Sequence, residues 1–217
     1  MTQLINPYRY GLFTMLYESE APEGEMLIEY AEKESKGQKH VGETPVQVAN
    51  EVVEHSNKAL AAINRPTLLP AKNQEEFARL KNDVFCYHAL AHFFAEKVNA
   101  SLEVLRYKYS NDVKDLEKAL PHLEQSVKHF ADLANATQTT YLYANSMQTK
   151  QRKIPVRGAD AAFVHWTEML PIYQKELDRF RFVIDSLQHV SPNQSVAIHY
   201  LKPAKVQLLS AVEGQYT

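Results

Sequence analysis

The sequence predicts an all-α fold, an antiparallel bundle of four to five helices with a short strand-like C-terminal tail. Three observations predict it. Apolar residues recur at spacings of three and four over four long stretches. The connectors between those stretches are short, which sets consecutive helices antiparallel. Only six glycines occur in 217 residues, too few for the many tight turns of a β-rich chain.

Residues 1–22 are irregular and aromatic, with Tyr8, Tyr10, Phe13 and Tyr17. A helical pattern runs from Glu23 to about Lys36 and stops at Gly37. Thr44-Pro45 starts the next helix, with Thr as N-cap and Pro at the first helical position. Its stripe is Ala49, Val52, Ser56, Leu60 and Ile63, and it ends near Asn64. Asn73 is placed as the cap of the strongest helix. Phe77, Leu80, Val84, Tyr87, Ala91, Phe94, Val98, Leu102, Leu105 and Tyr109 form its stripe, which predicts one nearly continuous helix over 73–109, roughly 50 Å long. Phe85 and Phe93 fall outside that stripe, so this helix should touch neighbours on more than one side. Asn111 is placed at the start of the following helix, with Leu116, Leu120, Leu123, Val127, Phe130 and Ala134 inward. Pro121 inside it predicts a kink or a restart. The last long helix spans about Asp160 to His189 with Trp166, Met169, Tyr173, Leu177, Phe180, Ile184 and Leu187 in register. Pro171 predicts a bend or a late start there. Residues 1–190 are thus assigned to the bundle. Residues 191–217 alternate as one or two strands, expected to begin a β-domain.

The charge balance limits the partners. Hydrophobic residues are 45%, charged residues 23% and the formal charge is −2. No global field draws the chain to nucleic acid, so none is expected as a partner. No apolar run reaches the ~18 residues of a membrane span. The first ten residues lack the basic region and apolar core of a signal peptide. A single cysteine, Cys86, cannot form an internal disulfide.

Two places invite a chemical reading. His88, His92 and Glu96 lie four apart on the long helix, the spacing that shows three side chains on one face to a metal. His55, Glu54 and His129 could add ligands from adjacent helices. Against this, Glu-x-x-His does not occur, and neither does His-Glu-x-x-His. The expectation is therefore a hydrogen-bonded polar face, with no metal and no cofactor. Cys86 and His88 do not face one another at i,i+2, so Cys86 reads as a buried structural thiol.

The second place is the break from Tyr141 to Gly158. Lys150, Arg152, Lys153 and Arg157 put four positive charges into eight residues, with no carboxylate in the segment. Tyr141, Tyr143, Asn145, Gln148 and Gln151 add ring faces and amides. His165 and Trp166 follow at once. Rings stack on sugar faces, amides bind hydroxyls and guanidinium groups pair with carboxylates. The candidate ligand-binding set is Tyr141, Tyr143, Gln148, Arg152, Arg157, His165 and Trp166. The competing reading is a structural connector that Ile154-Pro155-Val156 fastens to the bundle. The segment is expected to be ordered and to line a groove with Trp166, Tyr8, Tyr10 and Tyr17.

Four blocks carry a resemblance: Asn6-Pro-Tyr-Arg-Tyr-Gly-Leu-Phe13, Ala21-Pro-Glu-Gly-Glu-Met-Leu-Ile28, Asn145-Ser-Met-Gln-Thr-Lys-Gln-Arg-Lys-Ile-Pro155 and His165-Trp-Thr-Glu-Met-Leu-Pro-Ile-Tyr173. Together they resemble the helical region towards the C-terminus of large carbohydrate-active, glycoside-hydrolase-like proteins of Bacteroidetes type. Those proteins have a barrel ahead of the helical region and β-sandwich modules after it. The resemblance covers about residues 5–190. It implies a non-catalytic accessory module that packs on an upstream catalytic domain or completes its cleft for a polysaccharide. It implies a periplasmic or cell-surface location; without it the chain reads as cytoplasmic. It transfers no catalytic residue, because the acid and nucleophile would lie on the barrel. The alternative is a free-standing bundle enzyme or metal-binding protein using His88, His92 and Glu96.

Overall fold

The computed structural model describes residues 24–65, 72–144 and 163–189. It contains helices α1 (Leu27–Ser35), α2 (Pro45–Ile63), α3 (Gln74–Ser110), α4 (Val113–Thr137) and α5 (Trp166–His189), and no sheet among the described residues. The 191–217 tail lies outside the described residues.

Local chemistry explains most boundaries. Thr44 accepts the Gln47 amide at 3.2 Å and Gln47 returns a bond to the Thr44 amide at 3.0 Å, closing a capping box before Pro45. Gly37 turns the chain after α1 at φ +64°. α3 is one uninterrupted helix, as its unbroken pattern predicts, but its caps differ from expectation. Asn73 is left-handed and makes no side-chain cap bond, while Asn111 is left-handed and ends α3 instead of opening α4. The N-cap of α4 is Asp112, whose carboxylate accepts the Lys114 amide at 3.0 Å. Pro121 does not divide α4, and α5 starts late, at Trp166, with Pro171 in its second turn. A proline removes one ladder bond, and burial of Leu116, Leu123, Val127, Phe130 and Leu133 outweighs that loss.

α3 is the axis of the bundle. It packs along α4 and α2, and α1 crosses its C-terminal part, while α5 lies mainly along α4. Between Ala89 and Tyr107, α3 is buried on nearly every side. A single three-four stripe therefore fails to name its core. Phe93, outside the stripe, is fully buried, whereas Phe94 is half-buried and Leu80 and Tyr87 are exposed. Phe93, Phe130 and Tyr173 meet with ring centroids 4.6–5.0 Å apart in tilted and edge-on pairs, joining α3, α4 and α5.

Two polar devices fasten the N-terminal part. Arg106 of α3 holds Glu34 of α1 with a two-pronged bond at 2.8 and 2.9 Å. Glu25, buried, accepts Lys33 Nζ at 2.7 Å, His40 Nδ1 at 2.7 Å and the Val41 amide at 2.6 Å. Burial works to raise its pKa, but these three donors outweigh that and hold it down at about 2. The His40 ring also stacks on Tyr30 at 4.1 Å. Gly24 permits the close approach beside it, since a Cβ there would sit 2.1 Å from the Glu43 carbonyl oxygen. Among the described residues no helix is long and apolar enough to cross a membrane.

Candidate functional site

The aromatic residues that stand out in the sequence meet at one end of the bundle. The chain leaves α4 at Thr137, turns, and departs at Ala144. It returns at Phe163 and enters α5. The Ala144 amide bonds to the Val164 carbonyl at 2.7 Å, so the two arms lie side by side. Behind them Trp166 is buried, edge-on to Tyr141 at 5.4 Å and to His165 at 5.6 Å. Tyr141 donates its hydroxyl to Asp83 of α3. Burial, then the Asp83 carboxylate, pushes the Tyr141 phenol well above its ordinary range, so it stays protonated. Asn82, one residue earlier, donates to the Ala136 carbonyl at 3.2 Å and to Thr140 Oγ1 at 3.3 Å. The N-terminal half of α3 is thereby tied to this end.

His165 is hydrogen-bonded through both ring nitrogens and its backbone amide. Its Nε2 bonds to the Thr137 carbonyl at 3.3 Å, and its Nδ1 accepts the Thr167 amide at 3.2 Å. The Nε2–H tautomer meets both demands. Its own amide donates to Glu168 at 2.6 Å, which opens α5. Trp166 is thus buried at this end, and His165 lies half-buried beside it. Tyr143 stacks on Phe163 at 4.7 Å with 19° between planes. Phe163 is 51% exposed, Leu142 95% and Tyr87 46%. Phe163, Leu142 and Asp83 escaped the sequence reading. Phe163 and Leu142 lie beside the polar block, where their exposure depends on how the chain turns.

Of the candidate set, Tyr141, Tyr143, His165 and Trp166 are brought together. Gln148, Arg152 and Arg157 lie outside the described residues, as do Tyr8, Tyr10 and Tyr17.

The histidine set is divided. His88 and His92 both donate Nε2–H to Asn57 Oδ1 of α2, at 2.9 and 3.1 Å. Glu96 instead pairs with His122 Nδ1 of α4 at 2.6 Å. That hydrogen bond raises the His122 pKa against the opposing effect of burial. Among the described residues no group of three or more His, Cys, Asp or Glu is arranged to hold a metal ion. Cys86 is buried, and its surroundings push the thiol up to about 12, so it is a poor nucleophile.

No protein-family model matches the chain, and no curated protein matches it. Among solved structures it is similar to a GH138 enzyme targeting pectin rhamnogalacturonan II, at 46% identity and a TM-score of 0.70. The match covers 86% of this chain and 27% of that one. Over most of its length, then, this protein is a helical module related to part of a glycoside hydrolase, and it spans about a quarter of that enzyme.

Proposed function

We propose that the chain is a non-catalytic accessory module of a glycoside-hydrolase-like protein, packing on a catalytic domain and helping to close its cleft over an acidic polysaccharide. The observation that carries this reading is the 46% identity to about a quarter of a pectin-targeting GH138 enzyme. The aromatic end supports it: the stacked Tyr143–Phe163 pair, with Leu142 exposed beside it, offers ring faces of the kind that pack on sugars. Arg152 and Arg157, which follow in the sequence, would pair with the carboxylates of a galacturonan. In this reading Trp166, His165 and Tyr141 shape the end, Tyr143 and Gln148 meet the glycan, and the parent acts at the periplasm or cell surface.

The test incubates the protein with oligosaccharides rich in galacturonic acid and measures both binding and release of reducing ends. Binding without release is the expected result. Release of product by this chain alone would replace the accessory reading with an enzymatic one.

A further inference from the structure

A separate cavity lies far from the aromatic end, where α1 and α3 finish and α4 begins. Along α3 it is about 35 Å from Asp83. Its volume is about 400 Å³, within the range of pockets that take small ligands. Glu34 and Ser35 of α1, Arg106, Tyr109 and Ser110 of α3 and Asp115 of α4 line it. Tyr109 is 37% exposed, with Lys108 Nζ 5.6 Å from its ring centroid. The polar groups here are of both kinds. Arg106 donates Nε–H and Nη2–H to Glu34 at 2.9 and 2.8 Å and Nη1–H to Glu103 at 2.5 Å. These bonds use three of its five N–H groups, and among the described residues the other two have no acceptor. Each Glu34 oxygen accepts one of those bonds and keeps a lone pair for another donor. Ser35 Oγ donates to the Glu32 carbonyl at 2.7 Å, and Ser110 Oγ donates to Asp115 at 2.6 Å.

We propose that this cavity is a second glycan contact, which takes a single neutral sugar unit by its hydroxyls and disfavours a uronate. It rests on the glycan role proposed above and adds a neutral unit to it. A sugar ring has apolar faces and a rim of hydroxyls, each of which donates and accepts. Tyr109 offers ring surface, the two remaining guanidinium N–H groups can meet hydroxyl oxygens, and Glu34 and Asp115 can accept hydroxyl protons. A carboxylate ligand fits badly. Glu34 already closes the Arg106 fork, so no two-pronged grip is left for a second carboxylate. Glu34 and Asp115 line the cavity, and the Arg106 and Lys118 bonds hold their carboxyls below the ordinary range and charged. Glu103 stands beside Arg106 with Oε2 buried and without a hydrogen-bond partner among the described residues. The carbonyl ends of α1 and α3 add negative partial charge, while the Asp112 carboxylate already caps α4.

Amide NMR of the full chain tests this at neutral pH and low salt, in separate titrations with L-rhamnose, D-galactose, L-arabinose and D-galacturonic acid. At least one neutral sugar should give saturable shifts at Ser35, Tyr109 and Ser110. Galacturonic acid should bind there about tenfold more weakly or less. Ser35 is exposed on the rim, so Ser35→Phe fills the cavity without disturbing the core. It should weaken the neutral sugar about tenfold while the melting temperature stays within a few degrees. The proposal is overturned if none of the three neutral sugars gives saturable shifts, if galacturonic acid binds as well as they do, or if Ser35→Phe binds as the parent does. Shifts at Tyr143 and Trp166 on adding galacturonic-acid oligosaccharides report separately on the aromatic end, so a failure of this site is told apart from a failure of the proposed function.

Discussion

Lys97 of α3 and Glu176 of α5 form an ion pair at the edge of the core, with the lysine fully buried and the carboxylate partly buried. The ammonium also lies 5.1 Å from the Tyr173 ring centroid and 6.0 Å from that of Phe93. Burial pulls the Lys97 pKa well below the ordinary lysine range. The adjoining Glu176 carboxylate pulls the other way, because an opposite charge favours the charged ammonium. Removing Glu176 leaves the buried ammonium without this carboxylate. Glu176→Leu should destabilise by ~3–5 kcal/mol. The double substitution Lys97→Met with Glu176→Leu should recover most of that loss, because neither charge then needs a partner. Urea denaturation of the three proteins checks this; a double variant no better than the single would contradict it.

Glu25 predicts the acid limb of stability. Its pKa is lowered to about 2 by its three donors. A depressed carboxylate contributes fully above its ordinary pKa, and the contribution is lost as the pH falls through that value toward about 2. A shift of this size corresponds to about 3 kcal/mol. Glu25→Gln should be less stable than the parent at neutral pH and should flatten the acid limb, as followed by denaturant midpoints against pH.

His122 runs the opposite way. Glu96 raises its pKa, so the pair stabilises the fold below the ordinary histidine value and fades as the pH rises through the raised one. His122→Gln should remove that fall on the alkaline side while leaving the Glu25 limb in place. An unchanged stability profile between mildly acidic and mildly alkaline pH would contradict it.

Phe93 and Phe94 separate the two faces of α3. Phe93 is fully buried between Phe130 and Tyr173, and Phe94 is half-buried. Phe93→Ala should cost ~3–5 kcal/mol and Phe94→Ala clearly less. Thermal unfolding that ranks them the other way would mean the core is misassigned.

These residues also show what could be read from the chain and what could not. Thr44-Pro45 and the uninterrupted α3 were legible because capping and periodicity act over a few residues. The choice between Phe93 and Phe94 was not, since a helix surrounded on all sides has no single apolar stripe. Lys97 and Glu176 are 79 residues apart, and no local pattern pairs them. The gathering of Tyr141, Tyr143, His165 and Trp166 was legible from their density in the break between α4 and α5. That Trp166 turns inward while Leu142 and Phe163 face out depends on the path of the turn. The histidine spacing marked a shared face correctly, but Glu96 finds its partner on another helix.

In the proposed role, the aromatic end of this module meets an acidic glycan. Trp166 is the sole tryptophan and is packed against Tyr141, so its fluorescence reports on that end. The most direct measurement is a titration of the protein with galacturonic-acid oligosaccharides at low salt, followed by Trp166 fluorescence and by calorimetry. Saturable binding is expected, weakening roughly tenfold in Tyr143→Ala and in the double variant Arg152→Ala, Arg157→Ala, a loss of ~1.4 kcal/mol in each case. The melting temperature of the arginine variant should stay within a few degrees of the parent. Heats no larger than dilution and an unchanged Trp166 signal would contradict it.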